Sequence, residues 1–232
     1  MSINLGFYDF FSYLLPGFVY LYAINDFLRV LGLKYVNLTN LMQAGQEPSF
    51  GLVALALFAA YIVGHIFDPL SLNFFFKFVF RIRNQQGATT ISLNTIKERY
   101  PKLGIKFVPK DWEALLIILR QRSYETAQSI DRFQADSIML RNIAFGLLLM
   151  AVTNVIAFFM TMTVLFLLIA LVGLVACWML ASESFKFRTW FFTQIFEGSL
   201  IYGMSIEEVI SYEKNRDGKS KAQKQTNTKL KL

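Results

Sequence analysis

The sequence predicts an all-α integral membrane protein with four transmembrane helices, both termini cytoplasmic, and a helical cytoplasmic insert between spans two and three. Three observations predict it. Of 232 residues, 55% are hydrophobic and only 17% charged, less charge than a soluble domain of this length usually carries. Apolar segments run at Phe10–Leu31, Gly51–Leu70 and Asn142–Ala181. The last, as one helix, would be about 60 Å long at 1.5 Å per residue, about twice a bilayer core, so it reads as two spans. The third observation is the distribution of cations. The segment Val36–Phe50 has no Lys or Arg, residues 77–141 hold twelve and residues 184–232 hold nine. Four spans put both basic segments on one side, which the positive-inside rule makes cytoplasmic. Arg29 and Lys34 are then the two basic residues outside. Three spans would place the basic tail outside, so that count is rejected. Topology therefore accounts for most of the +7 net charge, and no nucleic-acid role is required by it.

The elements follow in order. Residues 1–83 form a first helical pair with an interfacial segment. The N-terminus lacks a basic n-region and a small-residue cleavage site, so the first apolar segment is expected to stay. Leu72–Arg83 alternates aromatics with Lys77, Arg81 and Arg83. That pattern suits the headgroup boundary, with these three cations as lipid-phosphate contacts. Residues 84–141 form the basic insert: a loop at 84–90, then a short helix capped by Ser92 and ending before Pro101. A second helix starts near Asp111 and runs unbroken into span three, with Leu115, Ile118 and Leu119 on its apolar face. Residues 142–183 form the closing hairpin, turning at Met160-Thr-Met-Thr163. Residues 184–214 read as cytoplasmic amphipathic helices, with a capping box at Ser205–Glu208. Residues 215–232 are lysine-rich and expected to be disordered.

Within this frame the segment Tyr61-Ile-Val-Gly-His-Ile-Phe-Asp-Pro-Leu70 stands out. It holds the chain's one histidine. His65 and Asp68 are three apart, which places them on one helical face. Ionisable groups inside spans are costly and often functional, so a proton relay, ion ligand or gate is one reading. The other is structural: His65 bonds another span and Asp68 lies near the cytoplasmic interface. Pro69 removes a donor and clashes with the carbonyl of residue 65, kinking the span where it leaves the bilayer. Pro16 and Gly17 interrupt span one in the same way. A broken helix can offer carbonyls to a ligand, but a kink satisfied by neighbours is the commoner outcome. Gly64 permits close helix approach beside His65. Asp9 lies at the inner interface, and Asn154 is the better of two mild polar groups for interhelical bonding, the other being Cys177, although packing is the commoner role for both.

Enzyme chemistry is not expected. One histidine in an apolar segment supplies neither a Ser-His-Asp site nor a multi-histidine zinc site, and no Walker or dinucleotide motif occurs. One cysteine excludes a disulfide or a cysteine metal cluster within the chain. No cofactor and no metal is anticipated.

Tyr8-Asp-Phe-Phe-Ser-Tyr-Leu-Leu-Pro-Gly17, Ala60-Tyr-Ile-Val-Gly-His65 and a basic helical insert before a closing pair of spans together carry a resemblance. The chain resembles small multi-span membrane proteins encoded beside prokaryotic immune systems, most closely the accessory proteins of type VI-B CRISPR loci. The resemblance implies a multi-pass protein of the bacterial inner membrane that modulates, or acts downstream of, a cytoplasmic RNA-guided nuclease. Three functions follow as expectations: an accessory or effector that forms homo-oligomers or a pore and docks a cytoplasmic partner; an autonomous ion channel or transporter subunit; and a membrane tether or scaffold. Direct nucleic-acid binding is left open by the basic tail.

Overall fold

The computed structural model describes residues 3–33, 50–75, 86–101 and 107–202. Helices account for 94% of them and no strand occurs among them. In chain order the α-helices are α1 (Ile3–Val30), α2 (Phe50–Asn73), α3 (Gln86–Arg99), α4 (Trp112–Arg122), α5 (Tyr124–Thr161) and α6 (Val164–Ile201), with a short 3-10 turn at Pro109–Asp111 before α4. Three helices are long and apolar enough to cross a membrane: α2 from Val53, α5 and α6. They mark the chain as a membrane protein. α1 is not among them over the part whose side chains are described, where Ser12, Tyr13, Pro16, Tyr20, Tyr22, Asn25 and Asp26 dilute its apolar residues.

The chain divides into two compact units. The first comprises Met1–Asn84 with Arg132–Arg188, the second Gln85–Asp131 with Thr189–Leu232. In the first, α1 and α2 pack along each other. The crossing is antiparallel and tight. A Cβ added at Gly17 would overlap the backbone carbonyl of Ala60, and one added at Gly64 would overlap that of Tyr13. Small residues four apart thus let two backbones touch. Pro16 and Gly17 are buried within a continuous α1, and α2 continues four residues past Pro69 to Asn73. Neither helix ends at its proline, so the candidate breaks at Pro16, Gly17 and Pro69 leave α1 and α2 continuous, whereas the sequence favours a kink at each. Pro16 deprives the Ser12 carbonyl of its donor, while the Ser12 hydroxyl donates across to Ala135 O on α5 at 3.2 Å. α5 and α6 are joined by a reciprocal clasp, Ser137 Oγ donating to Ser184 O at 2.9 Å and Ser184 Oγ to Ser137 O at 2.8 Å. Phe75, two residues past the end of α2, forms a buried cluster with Ala144 of α5 and Cys177 and Ala181 of α6.

The hairpin turns at Met162–Thr163, inside the stretch read as a turn. Met162 adopts φ 52°, a left-handed conformation that costs a non-glycine residue about 1 kcal/mol. Met162→Gly is therefore expected to raise stability by up to about 1 kcal/mol, offset in part by unfolded-state entropy. A thermal melt in detergent against Met160→Gly, a helical position, checks the sign. The helix after the hairpin does not stop at residue 183. α6 runs unbroken to Ile201, since no proline or glycine lies between Gly173 and Gly198.

The second unit is a helical core of Ala88, Ile96, Leu115, Ile118, Leu119, Ile195 and Phe196, with Trp112 edge-on to Phe191 and Phe192. Three expectations fail here. Residues 86–90 are helical, as the first turns of α3. Ser92 is not a cap but a fully buried interior residue, its hydroxyl within reach of Ala88 O and Thr189 O. The helix entering the third span is interrupted at Ser123, whose backbone is extended (φ −144°, ψ 91°) and whose N–H closes α4 on Leu119 O. Serine is favoured where a helix begins, and Glu125 in the first turn of α5 suits the helix dipole. The expected capping box at Ser205, the tail and the segment after Phe75 lie outside the described residues.

Candidate functional site

The apolar first unit contains one concentrated set of polar side chains, built by α2 and α5. Asp68 and Ser71 are three apart on α2, while Arg141 and Asn142 are adjacent on α5. Asp68 Oδ1 accepts from Arg141 Nη2 and, at 2.9 Å, from Asn142 Nδ2. The Ser71 hydroxyl, fully buried, sits within donor reach of Asp68 O at 2.8 Å and of Asn142 Oδ1, and accepts from Arg141 Nε at 3.2 Å. One hydroxyl proton serves one acceptor at a time, so the two carbonyl oxygens compete for it. Arg141 is 3% exposed and Asp68 23%, which makes the cation the more deeply buried partner. Arg188 on α6 lies close enough to interact with both. Tyr20 faces the same set from α1, stacked on Phe67 at 4.6 Å and fully buried. Its hydroxyl lies near Ser71 but makes no hydrogen bond of full geometry among the described residues.

His65 takes no part. Its ring is exposed, stacks on Tyr13 at 3.7 Å and meets Tyr61 edge-on at 4.6 Å. Phe10 extends this row by stacking on Tyr61 at 5.3 Å. The spacing of three led to one shared face, but α1 packs so closely at Gly64 that the imidazole is committed to α1 aromatics. Asp68, a turn further on, points to α5. The two residues singled out together thus belong to separate environments. The Asn154 amide donates to Met150 O of its own helix at 2.8 Å, and no interhelical bond from it occurs among the described residues. Lys77, Arg81 and Arg83, the expected lipid contacts, lie outside the described residues, as does the side chain of Asp9.

Sequence reasoning missed Arg141, Asn142, Ser71 and Tyr20. A signal for the first two existed. Under the predicted topology Asp68 ends span two and Arg141 starts span three, so both fall at the same depth on the cytoplasmic side. Arg141 was counted with the insert's cations instead.

The insert is less basic than its composition suggests. Arg99 pairs with Glu197, and Arg120 with Asp131 at 2.7 Å. Arg122 donates to Tyr202 O at 3.0 Å, and Thr126 donates to the Tyr202 phenol oxygen at 3.1 Å. Hydrogen bonds from Ser123 and Thr126 hold that phenol below its ordinary value, because they favour the charged form. Among the described residues no three metal-ligating side chains come together.

Apolar helices whose polar groups turn towards one another define a helical membrane protein. The chain matches no protein-family model, no curated protein and no solved structure.

Proposed function

We propose that the chain is a four-span, inner-membrane anchor with both termini cytoplasmic, which holds its helical second unit for a cytoplasmic partner and performs no enzyme chemistry itself. The observation that supports this most is the pairing of Asp68 with Arg141 and Asn142. The strongest ionic group in α2 is spent on holding α2 to α5, as buried pairs do when they fix a register. A conducting protein needs polar groups along a path, and here Asp68 and His65 serve different contacts. With α1 as the remaining span, the resemblance to accessory proteins of type VI-B CRISPR loci makes the partner an RNA-guided ribonuclease.

An oligomeric pore is the second reading. It is favoured by α6, whose most apolar window is only 17% buried, leaving Leu167, Leu171, Val172, Val175 and Trp178 exposed for lipid or a second copy.

Expression in bacteria with a voltage-sensitive dye separates the two. The anchor reading predicts an unchanged membrane potential for the chain alone and for His65→Ala. It also predicts that a co-expressed RNA-guided ribonuclease moves to the membrane fraction. Depolarisation by the chain alone would overturn it in favour of the pore.

A further inference from the structure

A groove of about 860 Å³ opens in the first unit, lined by Phe18, Tyr22, Asn25 and Leu28 of α1, Ala56 of α2 and Met150 of α5, among others. Its lining on α1 begins at Phe18, directly after the Gly17–Ala60 crossing. The crossing closes one end, since backbones in contact leave no room for a further chain. The buried Tyr20, wedged between Phe67 and Phe145, fills the adjacent space.

From Phe18 to Leu28 the groove follows ten residues of α1, about 15 Å at 1.5 Å per residue. That is about half of a bilayer's hydrocarbon core of about 30 Å. A helix from another copy would cross both leaflets and would need a groove of twice this length. A single acyl chain occupies one leaflet and fits. The lining is apolar except at Asn25 and the Tyr22 hydroxyl. One residue beyond Asn25, Asp26 binds Arg29 at 2.5 Å, with Arg29 half exposed. This places both signs of charge on the last turn of α1 that lines the groove, where a headgroup phosphate and amine would meet them.

We infer that the groove holds one acyl chain of a bilayer phospholipid, from the leaflet opposite the Asp68–Arg141 pair, with its headgroup at Asn25 and Arg29. The inference rests on α1 crossing the membrane, as in the four-span reading. Lipid bound here would complete the packing of α1, α2 and α5, covering apolar walls that these helices leave open.

The test uses the full chain in nanodiscs of defined phosphatidylethanolamine, released in the mass spectrometer under activation that strips loosely held lipid. The expected result is one phospholipid retained per chain. Ala56→Phe, which fills the groove, should lose it while keeping wild-type helicity and an equal or higher melting temperature. Equal retention by both proteins, or none by wild type, overturns the inference. So does a wild-type dimer without lipid that Ala56→Phe converts to monomer. Should Ala56→Phe fail to fold, Met150→Phe fills the same space from α5 and is read identically. In parallel, Leu33→Cys in a Cys177→Ala background is labelled with a membrane-impermeant maleimide. Labelling from the outer side with no retained lipid overturns the groove inference alone. Labelling only from the inner side overturns the four-span reading, and the groove inference with it.

Discussion

Asp68→Ala is expected to destabilise the protein by about 3–5 kcal/mol, the cost of leaving a buried charge unpaired, and Arg141→Ala by clearly less. The inequality follows from burial. Removing Asp68 strands a guanidinium that is 3% exposed, with only Ser71 among the described residues left to accept from it and a second cation, Arg188, nearby. Removing Arg141 strands a carboxylate that is 23% exposed and retains its bond from Asn142. Both costs should vanish together. The double variant Asp68→Leu/Arg141→Met replaces the pair with apolar chains and leaves Ser71 and Asn142 to bond each other, so it should lie within about 1 kcal/mol of wild type, as replaced buried pairs often do. Unfolding of detergent-purified protein in SDS gives the comparison, with Asp68→Leu and Arg141→Met added as the single variants that close the double-mutant cycle. Equal single-variant costs, or a double variant as unstable as their sum, would defeat the account. The double variant also separates structure from function. With stability restored, any residual loss of partner recruitment belongs to the charges themselves.

The cluster shows where sequence reading stops. The hairpin at Met162–Thr163 was legible because a 40-residue apolar run cannot be one span. The start of α4 was legible because Pro109 precedes it, and its buried face because Leu115, Ile118 and Leu119 recur at helical spacing. The break at Ser123 was not. No glycine or proline marks it, and a serine inside a helical pattern reads as tolerated until its extended backbone is seen. α3 was trimmed at its N-terminus because Gly87 and two threonines resemble a loop, whereas burial of Ala88 and Thr89 in the second unit overrides that local preference. Asp68 was noticed, but its partner lies 73 residues away. Only shared depth in the membrane links them, and depth is a property of the topology rather than of any motif. His65 misled for the opposite reason. Helical spacing puts it within about 60° of Asp68 around the axis, but a close neighbouring helix captured the first side chain while Asp68 turned to α5.

Gly17→Ala and Gly64→Ala should each cost about 2–3 kcal/mol, at the upper end for overpacking, although either substitution normally favours a helix by about 1 kcal/mol. The atom a new Cβ meets decides the sign. At both positions it is the backbone of the opposing helix, Ala60 or Tyr13, which cannot rotate aside as a side chain can. The helices must separate, and separation also loosens the Tyr13–His65 stack one turn away. Gly51, on the same helix as Gly64, has no atom of the described residues within 4 Å of an added Cβ, so Gly51→Ala should be neutral or stabilising. Thermal melts of the three variants make the contrast, and wild-type stability for Gly64→Ala would mean that the two helices do not meet there. The contrast bears on the resemblance as well. Its two motifs, Tyr8–Gly17 and Ala60–His65, are the two sides of this crossing. The need of one backbone to lie against another is therefore enough to explain Gly17, Ala60 and Gly64. Those residues argue for the helical pair, and the case for a cytoplasmic partner rests on the second unit and on recruitment measured directly.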